Sequence, residues 1–384
     1  MQHKLFLIAM GWLLLAQVQG QITTPKYSNE FLTLGVGARG LGMSGAQTAI
    51  TNDVTAAYWN PAGLMRLSDR YEVGLMHSSY FGGIANYDYL GLATRLDSQS
   101  VVGFSVVRLG VDNIPDTRFL IDENGRINYD NVGSFAEASY AFLFSYARAF
   151  PLQIKTKNDV TGQSFRRTVP LHVGANVKVI YRKAGIFTQA WGFGLDVGAQ
   201  MTLNRWQLGV MGKDITGTFN AWSFNTDAIE DVFIQTGNAI PVNAIELTLP
   251  RLTFGIARQA RLWKELSLLG SLALESTFDG RRNTLLQSNL VSINPQFGLE
   301  LGYRQMVFVR GGIGNFQEVE DFEGKPNWQL QPNFGIGFRF KQFIFDYALT
   351  SLGQQLDLPY SHIFSLRISF NQKDIAFLQP TAQP

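Results

Sequence analysis

From about residue 71 onward, apolar residues alternate with small or polar ones in segments of roughly ten, the period-2 pattern of strands that face lipid on one side. In 191–201, Trp191, Phe193, Leu195, Val197 and Met201 share one face, and Gly192, Gly194, Asp196, Gly198 and Gln200 share the other. Phe297, Leu299, Leu301 and Tyr303 alternate with Gly298, Glu300, Gly302 and Arg304, and Phe334, Ile336, Phe338 and Phe340 with Gly335, Gly337 and Arg339. A soluble sandwich hides its apolar face and carries charge or Thr on the other. Here the second face is mostly Gly with scattered charges of both signs, which suits a narrow lumen. The pattern predicts strands at about 71–81, 87–97, 100–110, 134–149, 170–183, 188–202, 205–214, 248–259, 265–276, 295–304, 306–314, 328–340, 343–350 and 361–371. These number fourteen, an even count that fits a single-chain bacterial barrel with both termini in the periplasm.

The connections agree. Short turns at Ser98-Gln99, Leu203-Asn204, Ala260 to Lys264, Gln305 and Lys341-Gln342 alternate with long ones at 111–133, 215–247, 277–294, 315–327 and 351–360, as periplasmic turns alternate with external loops. The segment 150–169 breaks the rule. It reads as an extended hairpin turning near Asn158-Asp159, made basic by Lys155, Lys157, Arg166 and Arg167, and a solvated hairpin is the simpler reading than a docking site. The last strand places Phe364, Leu366, Ile368 and Phe370 on one face, resembling the C-terminal signal read by the outer-membrane assembly machinery. The tail 372–384 is polar and is expected to lack order.

The first twenty residues carry Lys4, an apolar run from Leu5 to Ala16, and small residues before Gln21. This is the pattern of a secretory signal peptide, with a run too short to span a bilayer as a helix. The expectation is an exported chain located in the outer membrane, in contact with its lipid. Lys+Arg of 32 against Asp+Glu of 30 gives no electrostatic reason to expect nucleic acid as a partner. Charged residues are 16%, against roughly 25% in soluble domains, while Gly (38) and Phe (29) are abundant, in keeping with a barrel whose outer surface is apolar. The chain has no Cys, and its four His are scattered, so no cofactor, metal or thiol chemistry is predicted. His77 and His172 fall within strands without a sequence-visible partner, and no catalytic residues are assigned: the chain reads as a non-enzyme.

Residues 31–67 lack the strand pattern. Asp53 to Tyr58 reads as a short helix, with Asn52 or Asp53 as its N-cap and Pro61 ending it. The apolar residues Phe31, Leu34, Leu41, Met43, Ile50, Trp59 and Leu64 argue that this segment is buried in the lumen as a plug. Gly35 to Gly40 matches G-x-G-x-x-G, but no strand–turn–helix context surrounds it and a nucleotide site is rejected. The stretches 37–46 (GARGLGMSGA) and 53–64 (DVTAAYWNPAGL) resemble the N-terminal hatch of the FadL-like outer-membrane family, and more closely its PorV/PorQ branch. Gly37, Gly40, Gly42 and Gly45 lie in the first stretch, and Asn60-Pro61-Ala62 matches the hatch motif in the second. The resemblance implies a fourteen-stranded antiparallel transmembrane β-barrel, all-β, with a hatch in its lumen. Its parts are then a signal peptide (1–20), leader and hatch (21–70), barrel (71–371) and tail (372–384).

For function, the PorV/PorQ resemblance implies an accessory to type IX-like protein export, with a large outer-membrane translocon or secreted cargo as partners. The FadL resemblance implies passive transport of hydrophobic small molecules such as long-chain fatty acids. The external loop 215–247 offers Phe219, Trp222, Phe224 and Phe233 as contact candidates for either, or as packing for the loop itself. Alternation turns Lys178, Asp196, Glu300, Arg304, Arg339, Asp346 and Arg367 inward. Arg339, Asp346 and Arg367 fall on three successive strands and are expected to form an ion-paired layer. A charged lumen disfavours a greasy tunnel along the full barrel but permits lateral exit into the membrane. The export role is the favoured expectation, transport the alternative.

Overall fold

The computed structural model describes residues 22–23, 28–122, 124–157, 164–320, 325–351 and 360–371. The expected signal peptide, the tip of the basic hairpin and the C-terminal tail lie outside them. Fourteen strands form the wall: β1 (Tyr71–Tyr80), β2 (Ala85–Arg95), β3 (Ser100–Asp116), β4 (Gly133–Lys157), β5 (Ser164–Ala184), β6 (Thr188–Leu203) and β7 (Trp206–Lys213). They continue as β8 (Arg251–Arg261), β9 (Leu266–Thr277), β10 (Ser292–Tyr303), β11 (Val307–Glu320), β12 (Pro326–Phe340), β13 (Phe343–Thr350) and β14 (Ser361–Phe370). Each is antiparallel to its neighbour, and β14 closes the ring onto β1 from His362↔Ser79 to Phe370↔Tyr71. Closure leaves the wall no free edge, which is what lets strands span a bilayer. This is a closed antiparallel barrel, as the alternation predicts.

The side chains alternate as read. Trp191, Phe193 and Val197 stand on the outer face and are exposed, whereas Gly192, Gly194, Asp196 and Gly198 face inward. At the external end an outer-face row runs directly across strands through Phe364, His77, Asp88, Arg108, Tyr140, Tyr181 and Trp191. His77, on this outward row, bonds Asp88 through its ring nitrogen at 2.7 Å.

The strands run farther outward than predicted. β3 continues to Asp116 past an irregularity between Val111 and Ile114, and β11 to Glu320. β4 and β5 extend below the membrane as the paired arms of the long hairpin, from Leu152↔Val169 to Lys157↔Ser164. The loop 215–247 is also corrected. It contains an antiparallel hairpin, Thr218–Phe224 with Ala244–Thr248, joined through the helix α3 (Glu230–Thr236). The hairpin continues the wall: Thr218–Phe224 pairs with the upper half of β6 while β7 pairs with its lower half. Among the described residues the other edge of Ala244–Thr248 pairs with Ile22 and Thr23, in parallel. The helix α1 (Ala38–Gly42) and the short helix α2 (Ala56–Trp59) lie in the N-terminal segment. α2 is shorter and later than expected. Thr55, not Asn52 or Asp53, occupies its N-cap, and Pro61 does not end it but opens a 3-10 turn, Pro61–Arg66.

Candidate functional site

Residues 28–67 are packed among the inward-facing side chains of the wall. Phe31, Val36, Leu41, Tyr58 and Trp59 form one core with Met76, Tyr80, Tyr87, Val107, Leu143, Ile180 and Ile363. On the opposite side the backbone rests directly on glycines. A Cβ on Gly312 would come 2.5 Å from the Met43 carbonyl carbon, and one on Gly255 2.8 Å from the Ala49 nitrogen. One on Gly174 would overlap the Pro61–Ala62 peptide. The Gly-rich inner face is therefore the imprint of this segment rather than spare room.

The motif residues each have a structural task. Gly37 and Gly45 have φ of 80°, in the left-handed region that favours Gly. Gly40 leaves space for the Trp59 indole, whose N–H donates to the Val36 carbonyl at 2.9 Å. Gly42 lies against Gly335 of β12. Asn60 is fully buried. Its amide donates to the Thr48 carbonyl (2.9 Å), Ala199 on β6 (3.1 Å) and Val210 on β7 (3.2 Å), and its Oδ1 accepts from the Ala62 N–H (3.2 Å). Pro61 fixes φ at the first turn position, where its missing N–H costs nothing. Ala62 is fully buried.

Six charges form a closed ring at mid-lumen. Arg39 holds Glu300 (2.9 Å), Glu300 holds Arg310 (2.7 Å), and Arg310 holds Asp346 (2.7 Å). Asp346 holds Arg367 (3.2 Å), Arg367 holds Asp53 (2.6 Å), and Asp53 returns to Arg39 at 3.9 Å. Arg39 and Asp53 come from the N-terminal segment and the other four from β10, β11, β13 and β14, so the ring ties the segment to the wall. Asp346 and Arg367 are in it, as expected. Arg339 is not: it stands opposite Ile344, two positions below the Asp346 level, and is exposed at the periplasmic mouth. Arg310 takes the place assigned to it. Its sequence signal was there, because Val307 and Val309 point outward and so turn Arg310 inward. Arg304 also departs from the expected inward set, being held in an exposed turn by Glu265 at 2.8 Å. Lys178 and Asp196 do face inward and bond at 3.0 Å, with Asp214 also on Lys178.

Polar space lies on both sides of the ring. Toward the periplasm, a cavity of about 300 Å³ is lined by Arg66, Glu72, Gln207, Arg339 and their neighbours. Toward the exterior, one of about 540 Å³ is lined by Glu30, Lys213, Arg251, Glu275, Asn294 and Gln331 among others. The external loop 278–291 carries Asp279 and Arg282, 2.5 Å apart. Partial burial raises the Asp279 carboxyl, but the hydrogen bonds and charge of Arg282 outweigh it and hold Asp279 below its usual range.

The four aromatic candidates of the external loop separate. Phe219 points outward beside Phe193. Trp222 lies under the Arg182 guanidinium (4.9 Å), donates to Glu246 (3.0 Å) and stacks on Phe224. Only Phe233 joins an apolar rim pocket, about 260 Å³, lined by Pro115, Phe135, Phe187, Ile229 and Val232 and bordered by Arg118. Phe135 and Phe187 were missed because they lie 52 residues apart in sequence, near the outer ends of the paired strands β4 and β5, where they meet edge-to-face with 5.0 Å between centroids.

No family model and no curated protein matches the chain. Solved structures do. CymD, a monoaromatic hydrocarbon channel, superposes with a TM-score of 0.52 at 12% identity, covering 88% of this chain and 98% of that one. In fold the chain is similar to CymD. Lower-scoring matches are the Ralstonia pickettii toluene transporter TbuX (TM-score 0.48, 14% identity, 88% and 98% covered) and a Pseudomonas aeruginosa FadL homologue (0.46, 13%, 86% and 97%). These are FadL-family outer-membrane barrels, and the resemblance of this chain to them is one of architecture.

Proposed function

We propose that the protein is an outer-membrane barrel of FadL-like type that admits small hydrophobic molecules. The observation that carries this reading is the apolar rim pocket between Phe135, Phe187 and Phe233, a concave aromatic surface at the external mouth where a sparingly soluble molecule would first be caught. The fold similarity to a monoaromatic hydrocarbon channel supports it. In this reading residues 28–67 are the hatch, Asn60-Pro61-Ala62 is the anchor that seats it, and membrane lipid surrounds the wall. The leader 1–20 directs export to the outer membrane. The test is uptake of toluene and of a long-chain fatty acid by cells carrying the wild-type chain or the Phe187→Ser/Phe233→Ser variant. Uptake lost in the variant supports the reading; uptake no greater than in cells lacking the chain overturns it.

A second reading, an accessory to protein export of PorV/PorQ type, is favoured by one observation. Asn60, Pro61 and Ala62 are all buried, so the centre of the hatch reads as filled. A pull-down from detergent-solubilised outer membranes separates the two: stoichiometric capture of a translocon or secreted cargo favours export, and a lone barrel favours transport.

A further inference from the structure

The external vestibule above the hatch has a floor unlike the rim. Lys213 at the end of β7 and Arg251 at the start of β8 are direct cross-strand partners, and both face inward. Like charges placed opposite each other destabilise a strand pair. One carboxylate, Glu275, approaches Arg251 at 3.8 Å. The Lys213 ammonium lies over the Tyr58 ring at 4.3 Å. Arg251 is 7% exposed. Among the described residues, no hydrogen bond is made by either side chain, although a guanidinium carries five N–H groups and an ammonium three. The nearby Asp214 is hydrogen-bonded to Lys178 and Thr218 instead. The vestibule therefore presents two cations with no protein acceptor within hydrogen-bond distance, beside the carboxylates of Glu275 and Glu30. On the wall above, the Asn294 Oδ1 is buried without a partner, and Gln296 adds an amide.

We propose that this vestibule is a binding site for a small, hydroxyl-rich carboxylate of the acidic-sugar class. The carboxylate sits on Lys213 and Arg251 in charge-assisted hydrogen bonds, and ring hydroxyls reach Asn294 and Gln296. A cavity of about 540 Å³ is of small-molecule size. A hydrocarbon offers no acceptor to the floor, so this site is separate from the rim pocket and does not depend on the transport reading.

The test is calorimetry on the full chain in detergent with galacturonate, galactose and octanoate. Galacturonate is expected to bind, with galactose, which lacks the carboxylate, and octanoate, which lacks the hydroxyls, each at least about tenfold weaker. Lys213→Gln and Arg251→Gln should abolish galacturonate binding while Phe233→Ser leaves it unchanged. Lys213→Arg, which keeps the charge, should retain it and guards against loss by misfolding. Absence of galacturonate binding to the wild type, equal binding of galactose, preferential binding of octanoate, or unchanged binding in Lys213→Gln would each overturn the assignment. Failure here leaves the toluene uptake result untouched, and the reverse also holds.

Discussion

Asp346→Asn is the sharpest test of the charge ring. Asp346 is 4% exposed and joins two guanidiniums, Arg310 at 2.7 Å and Arg367 at 3.2 Å. The amide keeps the shape but removes one negative charge, turning a neutral ring of three acids and three arginines into one with a buried excess of +1. Removing one partner of a buried ion pair costs about 3–5 kcal/mol, chiefly because the other charge stays buried and unpaired. Here Arg310 keeps Glu300 at 2.7 Å and Arg367 keeps Asp53 at 2.6 Å, so the lower end, about 3 kcal/mol, is expected. That is roughly 150-fold in the folding equilibrium. Chemical unfolding in detergent micelles followed by tryptophan fluorescence reads it as a lower midpoint at unchanged slope. Adding Arg310→Gln restores neutrality, so the double variant should cost clearly less than the sum of the singles. Arg339→Gln, outside the ring, should stay within about 0.5 kcal/mol of wild type. An Asp346→Asn variant as stable as wild type, or a strictly additive double variant, refutes the ring as the tie between hatch and wall.

Further predictions follow from the same packing. A Cβ on Gly42 would stand 3.0 Å from the Gly335 Cα, so Gly42→Ala should lower stability by about 1–3 kcal/mol in the same unfolding assay. Gly174→Ala forces a methyl into the Pro61–Ala62 peptide and should lower stability by about 1–3 kcal/mol, while Gly311→Ala, with open space around it, should not. Because Arg282 holds Asp279 below its ordinary range near 3.8, the Asp279 contribution is present above that value and lost as pH falls through the depressed one. Hydrogen exchange in loop 278–291 should be pH-independent in protection from 7 to about 5 and rise only in stronger acid.

The wall was legible because lipid enforces alternation: Trp191, Phe193 and Val197 must point out and Gly192, Gly194 and Asp196 must point in. Where strands leave the bilayer that constraint ends. The hairpin Thr218–Phe224 places Phe219, Ala221 and Ser223 outward, a mixed face that reads as loop. The charge layer was half legible for a geometric reason. Alternation tells which face a residue takes but not its height, so Arg339 was placed with Asp346 although it stands two positions lower, while Arg310 went unread. In residues 28–67, burial followed from Phe31, Met43, Ile50 and Leu64, but the acceptors of Asn60 on β6 and β7 lie 139 and 150 residues away, and no local pattern encodes them.

The interior is asymmetric, and this bears on how a hydrophobic molecule could cross. Residues 28–67 meet β1 to β5, β13 and β14 mainly through an apolar core, while toward β8 to β12 they leave polar space above and below six paired charges. A molecule moving straight down the axis would have to open the ring, leaving charges unpaired at several kcal/mol each. If the rim pocket takes in a hydrophobic molecule as proposed, that molecule has to leave sideways. Near the vestibule β8 begins at Arg251, after Leu249-Pro250, and the outer edge of the strand above it, Ala244–Thr248, pairs among the described residues with Ile22 and Thr23 instead of β9. A transport path from rim to membrane is therefore expected there, and cross-linking Thr23 to Glu246, their registered partners, is the perturbation that should close it without touching the hatch.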